Sequence, residues 1–166
     1  MSMTHYMELL AQNQPWNLIL FMAIPVVLAE TVAITELYIL FTRRFDGMVR
    51  TLNRAAGIVG GLYFLGVFVY LMLTAVIPLT RDGGWRGPAD VIAVGFYLSG
   101  VVPLLGMALL DLGLLGRSRG EEGRLRLHAI LVAIFLVVAH VAMVFGMLDP
   151  TLLTSTVGSG MPGMPH

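Results

Sequence analysis

Five ionisable residues lie inside long apolar stretches of this 166-residue sequence: Glu30, Glu36, Asp111, His128 and His140. A charged group inside a membrane costs several kcal/mol unless it is paired, so each of the five is a candidate functional residue. Carboxylate and imidazole groups suit first-row transition metals, and they also carry protons through membranes. Metal binding and proton transfer are therefore the two chemistries to weigh.

Two of these residues, Glu30 and His140, share a depth in the predicted structure. At about 1.5 Å of rise per residue, both lie roughly 16 to 20 Å from the ends of their helices, close to mid-bilayer. Met22 and Met143 fall on the same predicted inward faces. Thioether ligands favour Cu(I). We therefore predict that these four side chains bind or move a transition metal, copper or iron.

A second, shallower layer is predicted nearer to the same helix ends. Glu36 and Asp111 lie roughly 6 to 8 Å in, and His128 lies at the mouth. We predict that these residues relay protons or support the deeper site. Helical phase assigns further residues to the inward faces: Tyr63, Gly66, Tyr70 and Thr74 on the second helix, and Tyr97, Gly100, Met107 and Asp111 on the third.

Three alternatives to a bare metal ion stay open. His128 and His140 are twelve residues apart on one helix, about 18 Å, so they cannot both ligate one haem. A haem b would use His140 with Met107 or Met22, or with an open axial position, as part of a haem-binding or respiratory-chain accessory subunit. A proton-coupled small-molecule permease is the second alternative. The third is a packing role, in which Glu30 and His140 hydrogen-bond each other.

Both termini carry further candidate metal ligands, which are thioether sulfur atoms and imidazole nitrogen atoms. His5 lies near the N-terminus, and Met161, Met164 and His166 end the chain. We predict that these residues capture metal outside the membrane. The segment 1–14 is predicted to form a short amphipathic helix on the outer surface, because Tyr6 shares one apolar side with Leu9 and Leu10.

The elements that position these residues follow from composition. Hydrophobic residues make up 57% of the chain, charged residues 12%, and the mean hydropathy is +0.85. These values indicate one all-α transmembrane domain, residues 1–166, that forms an up-down-up-down four-helix bundle. Prolines 25 and 103 are predicted to kink the first and third helices. The predicted helices span about 16–41, 55–79, 91–115 and 127–148, and a flexible tail follows at 149–166.

Several function classes are excluded or disfavoured by the same composition. The formal net charge is zero, which provides no electrostatic surface for nucleic acid. The chain has no cysteine, so disulfides, thiolate metal sites and thiol redox chemistry are excluded. Motifs of soluble catalysis such as a Walker loop or nucleophile elbow are absent from the sequence. We therefore do not expect an enzyme.

Arginine placement predicts the orientation. The segments 42–54 and 116–126 hold eight arginines, whereas the segment 80–90 holds two. By the positive-inside rule, both arginine-rich segments are cytoplasmic and both termini are periplasmic. The chain is predicted to reside in a bacterial inner membrane. Its expected partner is the lipid bilayer, and a homo-oligomer or a larger membrane complex is left open.

Several sequence blocks resemble a known family. They are His5-Tyr6-Met7-Glu8-Leu9-Leu10, Gln14-Pro15-Trp16-Asn17, Ile24-Pro25 through Ala29-Glu30-Thr31, Thr35-Glu36-Leu37, Trp85-Arg86-Gly87-Pro88-Ala89-Asp90 and Ala139-His140. Together they are similar to a bacterial family of small four-helix inner-membrane proteins without assigned function, whose members are loosely labelled permeases. The resemblance implies the topology above and no particular chemistry.

Overall fold

The computed structural model describes residues 3–116, 118 and 120–150, and in these ranges every regular element is helical. A short helix comes first, α1 (His5–Ala11), followed by four long apolar helices: α2 (Trp16–Thr42), α3 (Met48–Arg81), α4 (Pro88–Asp111) and α5 (Glu121–Met147). Each of the four is long and apolar enough to cross a membrane. The chain is therefore a multi-pass membrane protein.

Two helices, α3 and α5, extend further towards the arginine-rich segments than hydropathy suggests, whereas α4 ends at Asp111 instead of near residue 115. α3 begins at Met48 and α5 at Glu121, whereas the apolar runs begin near residues 55 and 127. Hydropathy marks only the part of a helix that faces lipid, and the polar turns before it remain hydrogen-bonded. Charged and polar residues thus lie on the helices themselves at this end of the bundle.

Three of the long helices contain a local irregularity. A π-helical turn, Ile19–Ala23, comes directly before Pro25 in α2, and another, Met72–Val76, comes before Pro78 in α3. Proline lacks the backbone N–H of a regular helix, so the turn before it must rearrange. In α4 the break falls at Gly100, between Pro88–Ser99 and Val101–Asp111.

Consecutive long helices pack side by side, whereas α2 and α5 touch over the shortest stretch. Glycine allows the closest approach, between α3 and α4. A Cβ atom on Gly61 would lie 2.5 Å from the Leu104 carbonyl oxygen and 2.6 Å from the Ala108 Cβ atom. No residue but glycine fits there without moving a helix.

The buried faces only partly follow the prediction. On α4, all four residues predicted to face inward are buried: Tyr97, Gly100, Met107 and Asp111. On α3 the prediction was wrong, because Gly66, Tyr70 and Thr74 are exposed and another face is buried: Ala56, Gly57, Gly60, Gly61, Phe64, Val67 and Leu71. The face of α3 that packs against α4 is the one with the small residues, because they allow the two helices to approach closely. The polar residues on the other side of α3 do not determine which face is buried.

The segment around α1 is attached to the end of the bundle opposite the arginine-rich segments. Tyr6 and Leu10 are buried on its inner side. The Thr4 hydroxyl donates to the Gly146 carbonyl of α5 at 2.7 Å and accepts from the Met7 backbone N–H at 3.4 Å. The Tyr6 ring occupies the space above Gly146, where a Cβ atom would lie 2.7 Å from it. We call this the α1 end of the bundle, and the other the arginine end.

Candidate functional site

A cavity of about 260 Å³ lies between α2 and α5, and we call it the lateral pocket. Its lining includes Glu30 and Met22 from α2 and His140 and Met143 from α5. The buried rings of Phe64 and Phe135 also line it. Glu30 and His140 are exposed, so the prediction that they face a buried interior was wrong, because α2 and α5 make few contacts with each other. The four residues predicted to bind metal therefore line one cavity, which opens between two loosely packed helices.

The hydrogen bonding of His140 leaves one ring nitrogen available. Its Nδ1 lies 2.6 Å from the Leu136 carbonyl oxygen, which can only accept, so Nδ1 carries the proton. The Nε2 lone pair is then free for a metal or a proton. Among the described residues, the Glu30 carboxylate has no hydrogen bond or ion pair. The structure does not join Glu30 to His140 as a packing pair would require.

A second cavity of about 210 Å³ adjoins the first and is rich in methionine. We call it the methionine cavity, and five of the eight methionines in the described part of the chain line it: Met3, Met7, Met22, Met143 and Met147. Met22 and Met143 line both cavities. Thioethers from α2, α5 and the segment carrying α1 thus line a space next to the pocket that Glu30 and His140 line.

Three of these methionines differ from one that fills the core, whereas Met7 and Met22 are half-buried and pack against the core. Met107 is 1% exposed, as expected for a flexible side chain that fills a gap between helices. Met3, Met143 and Met147 are 47%, 39% and 73% exposed. Core packing therefore does not account for their residue type.

Tyr6 lies at the junction of the two cavities and lines both. Burial raises the pKa of its phenol to about 12, so the group is neutral at physiological pH. Its ring lies 5.1 Å from the ring of Tyr97, centroid to centroid. Tyr6 therefore contributes an aromatic wall without adding charge to the methionine cavity.

The donor set determines which metals fit. The described ranges hold no group of three or more His, Asp or Glu side chains arranged for a metal ion. The lateral pocket instead combines one carboxylate and one imidazole with two thioethers. Hard ions such as Mg²⁺ need several oxygen ligands, whereas thioethers select soft ions such as Cu(I). Of the two metals predicted from sequence, this set is better suited to copper.

A buried cluster lies at the arginine end, formed by Glu36, Asp111 and His128, which are each at most 3% exposed. We call it the inner trio. His128 Nε2 lies 3.2 Å from Asp111 Oδ2, and His128 Nδ1 lies 2.9 Å from Glu36 Oε2 without the alignment of a full hydrogen bond. The imidazole ring thus bridges a carboxyl group of α2 and one of α4.

Sequence reasoning missed the polar neighbours of this cluster. Asn53 is fully buried, and its amide donates to Glu36 Oε2 at 3.1 Å and to the Thr35 hydroxyl at 2.9 Å. The predicted start of the second helix, near residue 55, left Asn53 outside the bundle. Thr35 is not among the residues predicted to face inward. An amide one turn before an apolar run is the signal that could have identified Asn53.

Tyr63 and Tyr70, predicted to join the relay, lie elsewhere. The Tyr63 hydroxyl donates to the Leu20 carbonyl oxygen at 2.9 Å. Tyr70 is 54% exposed, and its ring stacks on Phe21 at 5.9 Å. Both contacts join α3 to the first part of α2, so neither tyrosine contacts the inner trio.

His5 has a structural partner at the α1 end. Its Nδ1 lies 2.5 Å from Asp90 Oδ2, and its backbone N–H donates to Asp90 Oδ1 at 2.7 Å. Asp90, which is fully buried, also accepts from the Arg86 backbone N–H at 3.2 Å. The Arg86 guanidinium pairs with Glu8. Only His5 Nε2 is left for metal capture, and Met161, Met164 and His166 lie outside the described residues.

A polar cavity of about 400 Å³ opens at the arginine end. We call it the arginine cavity because three arginines line it: Arg50, Arg54 and Arg124. Asp111 also lines it, although that side chain is buried. The inner trio is therefore connected to a polar space through Asp111.

The comparisons with known proteins give one match. The family model described as a family of unknown function (DUF6803) matches residues 1–161. No curated protein matches the chain, and no solved structure does.

Proposed function

The chain belongs to DUF6803, a family of unknown function, and from its geometry we propose that it is a membrane protein that binds and passes Cu(I). The observation that carries this proposal is the methionine cavity, which joins the lateral pocket at Met22 and Met143. In this proposal the methionine cavity admits the ion, and the lateral pocket holds it with Glu30 and His140.

The chemistry of the two cavities supports this order of binding. Thioethers bind Cu(I) without deprotonation and exchange it readily, so a row of them suits an entry path. His140 Nε2 and the unpaired Glu30 carboxylate add an imidazole and a negative charge deeper in the bundle. A monovalent cation beside Glu30 also offsets a charge that lipid would disfavour.

Competition with a coloured Cu(I) chelator tests the proposal on full-length protein without an affinity tag, in nanodiscs and under reducing conditions. Wild type is expected to retain about one equivalent of Cu(I), as one continuous soft-donor site predicts. The triple variant Met7→Leu, Met22→Leu and Met143→Leu keeps side-chain volume and should lose it. Met48→Leu, at an exposed methionine outside both cavities, is the matched control and should bind as wild type does.

Two results would overturn the proposal. One is a triple leucine variant that binds Cu(I) as tightly as wild type. The other is loss of binding when only Met161, Met164 and His166 are replaced, because the site would then lie in the C-terminal segment. Glu30→Gln and His140→Ala, made separately, should each weaken binding, since both donors line the lateral pocket.

Haem b is the second candidate, and the free Nε2 of His140 favours it as an axial ligand. A visible spectrum of the same preparation distinguishes the two candidates. A Soret band that disappears in His140→Ala would replace the copper proposal. A colourless protein that takes up Cu(I) supports it. Coupled transport of a small molecule, the permease alternative, is tested by uptake driven by a pH gradient.

We also propose that the arginine end faces the cytoplasm of a bacterium and that both termini are periplasmic. The support is the distribution of arginine: the segments at the arginine end hold eight arginines, whereas the segment 80–90 at the α1 end, which joins α3 to α4, holds two. Because the chain has no cysteine, single-cysteine variants can be labelled without background. In intact cells, Thr80→Cys should react with an impermeant thiol reagent and Arg44→Cys should not. The reverse pattern would invert the assignment.

A further inference from the structure

The inner trio holds more acid than base. Glu36 and Asp111 could contribute two negative charges, whereas His128 can contribute one positive charge. In the described part of the chain, no arginine pairs with either carboxyl group, because Arg50 donates to Asn53 Oδ1 and Arg124 to the Leu110 carbonyl. An unbalanced buried charge is expensive. The trio therefore reaches neutrality only when at least one carboxyl group is protonated, either one beside an imidazolium or both beside a neutral imidazole.

The positions of the atoms allow that proton to move. Asp111 lines the arginine cavity on one side and contacts His128 Nε2 on the other. His128 Nδ1 faces Glu36 Oε2 at 2.9 Å. Among the described residues, Glu36 Oε1 is buried and has no hydrogen-bond partner, and Oε2 accepts only from Asn53, so this carboxyl group has capacity for a proton.

We propose that Asp111, His128 and Glu36 form a proton-exchange site that is loaded through the arginine cavity. The transfer starts from ionised carboxyl groups and a neutral His128 ring that carries its proton on Nδ1. A proton from water in the cavity binds Asp111, which transfers it to the lone pair of His128 Nε2 and forms the imidazolium. The imidazolium then releases its Nδ1 proton to Glu36 Oε2. Asp111 ends as it began, His128 ends neutral with its proton on Nε2, and one proton has moved from the cavity to Glu36; the reverse steps restore the starting tautomer. This site does not depend on the proposed copper function, because it shares no residue with either methionine-lined space.

The charged groups around the site come from four helices. They are Glu36 on α2, Arg50 and Arg54 on α3, Asp111 on α4, and Glu121, Arg124 and His128 on α5. The arginines lie around the cavity and disfavour free cations there. A proton can still pass, since it travels between hydrogen-bonded groups instead of as a hydrated ion. The surroundings therefore favour protons over metal cations at this end.

Infrared spectroscopy of full-length protein in nanodiscs tests the site through the carbonyl stretch of a protonated carboxyl group. Wild type should show this band at neutral pH, and transfer to D₂O should shift it. The carboxyl band should shift before the backbone amides of α2 and α5 exchange with deuterium. The exchange rate of these amides is the internal reference. A merely structural carboxyl group would exchange only as fast as those amides, and that result would overturn the proposal.

A glycine pair provides the variant and its control without altering any titratable group. A Cβ atom on Gly57 would lie 2.4 Å from Asp111 Oδ2, so Gly57→Ala should move that carboxyl group away from His128. Gly60→Ala meets only Leu28 Cβ at an ordinary 3.5 Å. We expect Gly57→Ala to slow the shift of the carboxyl band to the rate of the amides, and Gly60→Ala to leave it unchanged. Unchanged fast exchange in Gly57→Ala would contradict the relay.

Assignment of the band uses isosteric variants. Glu36→Gln or Asp111→Asn should remove it, whereas Glu122→Gln, at an exposed carboxylate, should not. If the band survives in both of the first two, the proton belongs to another group and the proposal fails. Should either variant fail to fold, the wild-type comparison of carboxyl and amide exchange still decides the question.

Discussion

The inner trio and the lateral pocket contain similar residues in opposite settings. Each has a glutamate from α2 and a histidine from α5. In the trio, Glu36 and His128 are buried and in contact. In the lateral pocket, Glu30 and His140 are exposed, and His140 is bonded only to its own helix. The difference shows that helix packing, not residue type, determines whether an acid and a histidine on neighbouring membrane helices come into contact.

The largest effect expected from this comparison is on stability. His128→Ala leaves two carboxyl groups facing an empty space, which should lower the free energy of unfolding by about 3–5 kcal/mol. His140→Ala, at an exposed position, is the control and should cost about 1 kcal/mol or less. Unfolding in mixed micelles, followed by circular dichroism, measures both. Equal losses would mean that the two histidines are held alike.

A smaller effect is expected where α1 is attached. Asp90→Asn removes the charge that holds His5, so a loss of about 1.5–3 kcal/mol should fall on α1 alone. Hydrogen exchange should rise in His5–Ala11 and remain unchanged in α3. Because Met3 and Met7 line the methionine cavity, Cu(I) affinity should fall as well. Faster exchange throughout the bundle would show instead that Asp90 supports the whole fold.

The glycines of α3 allow a comparison of packing within one helix. Gly61→Ala would force a Cβ atom against the Leu104 carbonyl, and the resulting overpacking should cost about 1–3 kcal/mol. Gly66→Ala points into open space and should be neutral or slightly stabilising. Thermal unfolding of the two variants measures the difference. A neutral Gly61→Ala would mean that α3 and α4 can separate without penalty.

The smallest effect on stability is expected at the lateral pocket. Glu30→Gln breaks no hydrogen bond or ion pair among the described residues, so the free energy of unfolding should change by no more than about 0.5 kcal/mol. Glu36→Gln, with its buried partners, should cost more. Measuring both in the same micelles sharpens the contrast between a ligand and a packed group. A large loss for Glu30→Gln would point to a structural role.

The angular positions of residues around each helix explain which parts of the fold and the candidate site were predictable from sequence. The four long helices and the buried face of α4 were predictable, because apolar runs and a single well-packed face leave a clear pattern. Glu30 and Glu36 are six residues apart, and His128 and His140 are twelve apart. At 3.6 residues per turn, each pair diverges by about 120° around its helix. Glu36 and His128 can therefore be buried in the core while Glu30 and His140 are exposed at the side of the bundle.

The rest depended on distances between helices, which sequence does not provide. The methionines that meet in one cavity come from three separate segments of the chain. Asn53 became a partner of Glu36 only because α3 begins earlier than its apolar run. The family match extends over nearly the whole chain and supports the recognition of a family without assigned function. A bacterial origin and a permease activity remain predictions.

The attachment of α1 has a consequence for assembly. Thr4 bonds to Gly146, and His5 bonds to Asp90, so both partners are synthesised long after α1. The first helix to leave the ribosome must therefore wait for the fourth long helix before it can dock. Until then the wall of the methionine cavity supplied by Met3 and Met7 is missing. A chain halted before α5 would have inserted helices but would lack Met143 and Met147, so the proposed Cu(I) site could form only after synthesis is complete.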